Sequence, residues 1–274
     1  MLIDAHHHIW KIDRGDDDWL TPDLPIYRDY GLDDLRLKLG GIGATVLVQA
    51  APTEAETRFM LDVAHESAGL VRGVVGWTDF AAPDAPARIA ALAGDPLLKG
   101  LRPMLQDMED LEWILHPEQQ PALAAMTQAG LRLDLLIRPR HLNQIHFLAA
   151  AHPDLPVVID HGAKPAISIG LFQPWAGQMR YLARTTNWHC KLSGLITEAN
   201  HRQWDLEDLR PYVDHLIACF GPRRLIWGSD WPVVNLAGGY AAWRDATQIL
   251  LGGLSAEDRA AVLGGTAMRF YGLG

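Results

Sequence analysis

Eight times along this chain a short apolar run is followed by a longer stretch of helical periodicity, and this alternation limits the fold more than any other feature. Strands separated by helices pair in parallel, because each crossover returns the chain to the same end of the sheet. Strands are expected at 2–8, 45–50, 71–77, 97–102, 132–137, 157–160, 188–192 and 224–227. Eight units with no change of composition between them fit one (β/α)8 barrel over 1–274, with extra helices at the C-terminal end. A doubly wound open sheet is the competitor. It would carry a glycine-rich phosphate loop after the first strand, and histidines stand there instead.

Helix signals support the same count. Thr53, with Glu56 three residues on, reads as a capping box opening a helix to about residue 68. Helices are also expected at 32–39, 141–151 and 172–185, and a last one near 266–271. The long connection from about Trp10 to Tyr30 reads as a lid or pocket wall, and the acidic run Asp16, Asp17, Asp18 within it as a solvated face.

Composition narrows the function. Of 274 residues, 49% are hydrophobic, enough for a full core, and the net charge of -9 argues against a polyanionic partner. No run is apolar enough to span a bilayer, and no signal-peptide pattern opens the chain. Two cysteines, Cys190 and Cys219, form no CxxC unit and read as reduced thiols. These features give a cytoplasmic enzyme of a small molecule, with no nucleic-acid and no membrane partner.

The chemistry is expected at the C-terminal strand ends, where barrels of this kind build their sites. In MLIDAHHHIW, alternation puts His6 and His8 on one face together with Asp4, while His7 faces the helix layer. Two imidazoles converging at a strand end can bind a metal ion or polarise a carbonyl. Closing the barrel brings Asp230, in GSDWP, beside them as a general base. His161 in DHGAKP falls just past the sixth strand, and Gln49, Arg102, Lys164 and Ser193 fall at the same end. Arg102 and Lys164 suit an anion or a carbonyl oxygen. Trp77, Trp231 and Trp19 are candidates to wall a pocket by stacking.

The segments IDAHHH, VVIDHGAKP, CKLSGL and IWGSDWP, in that order and over nearly the whole chain, resemble the amidohydrolase superfamily. They are most similar to its sugar-lactonase branch, which contains L-fuconolactonase-like and L-rhamnonolactonase-like enzymes. The resemblance implies a (β/α)8 barrel that opens a small lactone, with His6 and His8 as metal ligands, His161 as the sixth-strand histidine and Asp230 as the base on water. It also implies one divalent metal, zinc for instance, or none. Relatives with two metals bridge them by a fourth-strand lysine, whereas Lys99 lies early in that strand and Arg102 occupies its end. Fuconolactonase-like members tend to carry a histidine after this arginine, and here Pro103 stands there. A metal-dependent decarboxylase of the same superfamily and a non-catalytic ligand-binding barrel are the alternatives.

Overall fold

The computed structural model describes residues 1–16 and 18–274, so the acidic run is seen without Asp17, which lies outside the described residues. Eight strands, β1 (Leu2–His7), β2 (Ile42–Val48), β3 (Val71–Gly76), β4 (Leu98–Leu101), β5 (Arg132–Leu135), β6 (Val157–Ile159), β7 (His189–Leu192) and β8 (Leu225–Trp227), form one sheet in sequence order. Every adjacent pair from β1·β2 to β7·β8 is parallel. The chain is therefore a (β/α)8 barrel, as the alternation required. Among the described residues no helix is long and apolar enough to cross a membrane.

The seam between the first and last strands is closed by the segment just past β8. Asp230 N–H donates to His6 O at 2.8 Å, and His8 N–H to Trp231 O at 2.7 Å. Asp4 strengthens the seam, accepting from Ser229 N–H at 2.8 Å.

Two apolar layers follow from the strand pattern. Ile3, Ala5, Ala44, Val46, Val48, Val75, Val158 and Ile226 fill the barrel interior. Phe270, Tyr271 and Leu273, from the C-terminal helix Thr266–Tyr271 and the residues after it, plug that interior from below. A second, larger layer joins the outer strand faces to the helices.

One expectation fails here for an identifiable reason. Ile3 and Ala5 face inward, so Asp4 faces outward, yet His6 and His8 also converge inside. The register of β1 against β2 shifts between Asp4 and His7, and a bulge of this kind resets the alternation. Asp4 consequently belongs to the seam and not to the histidine face.

His7 does face the helix layer, with Nε2 2.9 Å from Thr45 Oγ1. Burial, with His8 adding, lowers its pKa from 6.5 to about 3. A base whose folded pKa is lowered contributes fully above its unfolded value and loses that contribution as pH falls. At pH 4.5 the loss for His7 alone is roughly 3 kcal/mol. Urea unfolding at pH 7 and 4.5 should show wild type losing roughly 2–3 kcal/mol more than His7→Gln.

Helix ends depart from expectation where local hydrogen bonding intervenes. The helix after β2 is Glu54–Glu66, with Thr53 accepting from Glu56 N–H. The reciprocal arm of the box is not made, since Thr53 N–H goes to Ala51 O while Glu56 carboxylate receives Ala50 and Ala51 N–H. The helix expected at 141–151 is a 3-10 turn, Pro139–His141, then His146–Ala151. That expected at 172–185 is Trp175–Thr185, with Pro174 at its N-cap. The first helix is only Leu32–Arg36.

Candidate active site

At the C-terminal mouth of the barrel lies a pocket of about 320 Å3, lined in part by His8, Arg102, His161, Lys164 and Asp230. Four strand ends meet there. His6 and His8 Nε2 are 3.2 Å apart. Asp230 Oδ1 sits 3.3 Å from His8 Nε2, 3.7 Å from His6 Nε2 and 3.8 Å from His161 Nε2.

The ring orientations are fixed from behind. His8 Nδ1 donates to Val48 O at 2.8 Å, which leaves a lone pair on Nε2 facing Asp230. His6 Nδ1 has Lys191 Nζ at 3.0 Å and Asp160 Oδ1 at 3.6 Å. With a donor and an acceptor on that edge, either tautomer is accommodated. His161 Nδ1 meets Ser193 Oγ at 2.9 Å, and a hydroxyl can rotate to serve either tautomer.

Backbone conformation aims these groups. His161, Ala163, Lys164 and Asp230 all have positive φ, at 53°, 62°, 51° and 59°. Such geometry is uncommon outside glycine and persists where neighbours hold it. The buried indole of Trp175 donates to Gly162 O at 2.7 Å, clamping the His161–Lys164 turn. Trp243 does the same for Gly228 O at 2.9 Å. Glycine is required at 228 and 194 by close approach. A Cβ at Gly228 would lie 2.5 Å from His6 Cβ, and one at Gly194 2.5 Å from His161 Nδ1.

Burial governs the charge states. It would raise the Asp230 pKa, but the surrounding His161, His8 and His6 outweigh it and hold the carboxyl well below its ordinary value. Burial, helped by Lys164 and Arg102 and opposed by Asp230, brings His161 down to about 4. At neutral pH the site therefore presents a carboxylate beside a neutral His161.

Several predicted residues meet in this pocket and others do not. His8, His161, Asp230, Arg102 and Lys164 line it together, with the fully buried His6 behind them against Asp230, and Trp19 forms part of the wall, its indole donating to Ala50 O at 3.0 Å. Trp231 is fully buried and packs on Tyr30 beneath the mouth. Trp77 is outside the lining, its backbone tied to Thr57 Oγ1. Gln49 is fully buried and orients Arg102, donating to Arg102 O at 2.9 Å and accepting from Nη2 at 3.2 Å. Asp16 is not simply solvated, since it pairs with Arg14 at 2.6 Å.

The amidohydrolase family profile matches residues 3–273. The chain belongs to the amidohydrolase family. An L-fucono-1,5-lactonase of Burkholderia ambifaria is 46% identical, over 98% of this chain and 94% of that protein. Another L-fucono-1,5-lactonase, of Burkholderia multivorans, is 34% identical over 100% and 96% of the two chains. A crystal structure of a Burkholderia multivorans amidohydrolase with bound zinc superposes with a TM-score of 0.93 at 33% identity, covering both chains fully. Decarboxylase structures match at 15–16% identity and share the fold alone.

Beneath the pocket of this amidohydrolase lies a charge network that sequence reasoning left unassigned. Lys191 Nζ contacts Asp134 Oδ2 at 2.5 Å and Asp160 Oδ1 at 3.0 Å, all three side chains fully buried. Tyr271 OH donates to Asp134 Oδ2 at 2.7 Å, and Arg102 Nη1 to Asp160 Oδ2 at 3.0 Å. Burial raises Asp134 to about 6 despite Lys191, with Asp160 adding to the rise. For Asp160, burial works upward too, but Lys191, His6 and Arg102 together hold it well below the carboxylate range. The available signal was an acid inside a short apolar strand, as in RLDLL and VVID. Such a group demands a buried partner.

The donor set fits one divalent ion. Ligand atoms of His6, His161 and Asp230 lie within 4.8 Å of one another, and His8 Nε2, outside that group of three, is 3.3 Å from Asp230 Oδ1 and 3.2 Å from His6 Nε2. Histidine nitrogens with one carboxylate oxygen suit zinc. Lys99 lies far below the mouth, against Gly73 and Leu273, so no lysine bridge for a second ion is available there.

Proposed function

We propose that this chain hydrolyses a neutral sugar 1,5-lactone of the L-fucono type. The observation that carries the reading is the Asp230 carboxylate set among three histidines at a small pocket, in a chain 46% identical along nearly its whole length to an L-fucono-1,5-lactonase. Two free cysteines agree with a cytoplasmic setting for such an enzyme.

A divalent ion, when bound by His6, His8, His161 and Asp230, would supply Lewis acidity to water or carbonyl. Asp230 takes a proton from water as the oxygen attacks the lactone carbonyl. A carboxylate so well stabilised is a weak base, so proton transfer runs together with carbon–oxygen bond formation. Charge then grows on the carbonyl oxygen. With no ion on its Nε2 and Ser193 donating to its Nδ1, His161 turns an Nε2–H toward that oxygen. Arg102 also lines the pocket, and its Nε is buried without a hydrogen-bond partner, so a bound oxygen would satisfy it. As the ring carbon–oxygen bond breaks, Asp230 returns its proton to the departing oxygen, giving the open acid.

A proton-release assay over 1,4- and 1,5-aldonolactones tests this reading. Fast turnover is expected with L-fucono-1,5-lactone and its close stereoisomers, and a flat response across the panel rejects it. Metal analysis after zinc reconstitution should give one ion per chain, falling when His8 is replaced by Gln. Full activity with no ion bound would leave the histidines and Arg102 to polarise the carbonyl alone.

A further inference from the structure

Both cationic side chains that line the pocket, among the described residues, are already held by carboxylates. Arg102 is bonded to Asp160, at 3.0 Å. Lys164 Nζ is 3.2 Å from Glu198 Oε1, in a pair whose side chains are only 17% and 18% exposed. Asp107 and Asp230 add two acids to the same lining.

The Lys164–Glu198 pair is built in from both sides. Lys164 closes the left-handed turn, with φ 51° and its N–H on His161 O at 2.9 Å. Glu198 ends a turn of its own, with N–H on Leu195 O at 3.2 Å, while its carbonyl accepts from Ser168 N–H at 2.9 Å. The loop after β7 is thus tied to the loop after β6, and the carboxylate is delivered to the ammonium.

We infer that Glu198 is a specificity-determining residue that, by holding Lys164, sets the pocket against anionic ligands. Its consequence for turnover rests on the lactonase reading. Hydrolysis converts a neutral ring into a carboxylate, so a pocket without an unpaired cationic side chain accepts the substrate and releases the product. A carboxylated lactone is refused on the same ground. An unpaired lysine in so small a site would act as an anion clamp and favour the product.

Glu198→Gln keeps the size of the side chain and removes its charge. Binding is read by calorimetry with L-fuconate, 2-pyrone-4,6-dicarboxylate and, as a neutral control, L-fucose. Both anions are expected to bind about tenfold more tightly to the variant, with a steeper salt dependence, while L-fucose is unchanged. Glu198→Ala should show the same gain if the Gln side chain perturbs the loop. In the Glu198→Gln/Lys164→Met double variant the gain should disappear. Unchanged anion affinity in both single variants, or a gain that survives in the double variant, overturns the inference. Because calorimetry needs no turnover, a wild type that opens no lactone while the variants gain anion affinity would sink the substrate reading and leave the charge inference standing. The reverse pattern would do the opposite.

Discussion

Replacing Asp230 with Asn is expected to lower kcat on L-fucono-1,5-lactone by about 1,000-fold, within the range general-base catalysis supplies, with a much smaller change in KM. The amide keeps the shape of the carboxylate and can donate an N–H to the His8 Nε2 lone pair at the 3.3 Å separation seen for the acid, but it cannot take a proton from water. The effect is confined to turnover because His6, His8 and His161 are each oriented by other groups: Lys191 and Asp160, Val48 O, and Ser193. The main-chain seam at residue 230 also survives, since it uses N–H and not the side chain. Initial rates on the variant, with circular dichroism to verify the fold, check this. Turnover within tenfold of wild type would remove Asp230 from the proton-transfer role.

The second large effect concerns stability. Lys191→Met strips the cation from between Asp134 and Asp160 in a fully buried setting. Breaking a buried pair on one side typically costs about 3–5 kcal/mol, because the remaining charge is stranded. Asp160 retains Arg102, so Asp134 carries most of the penalty. Adding Asp134→Asn removes the stranded acid, and the double variant should recover roughly half of the loss. Urea unfolding of wild type, both single variants and the double variant at pH 7 measures the coupling. Additive single effects would show that the two residues do not act as a pair.

The barrel was legible because its evidence is distributed. Eight apolar runs and the helices between them each report the same topology, and an error of one or two residues at any boundary leaves the count intact. Asp230, His6, His8 and His161 were legible because parallel strands put all their C-terminal ends on one rim, so distance along the chain becomes irrelevant there. What escaped was anything that depended on local departures from regularity. Asp4 was assigned to the wrong face because a bulge shifted the register within β1. Trp231 looked like a pocket wall because it follows Asp230, but the positive φ of Asp230 turns the chain and drops the indole into the core. Gln49 stands at the right height yet spends its amide on Arg102. The Lys191–Asp134–Tyr271 chain unites β5, β7 and the C-terminal helix, and nothing in any one of those segments names the others.

The barrel seam and the proposed general base share one stretch of backbone: Asp230 N–H and His6 O join the last strand's exit to the first strand, and His8 meets Asp230 across 222 positions of sequence. During synthesis the histidines therefore emerge first and wait for almost the entire chain before the acid reaches them. A nascent or truncated polypeptide lacking its last fifth holds the imidazoles without the carboxylate they surround. The set of three histidines and one carboxylate is completed when the barrel shuts, and it is broken when that same joint parts.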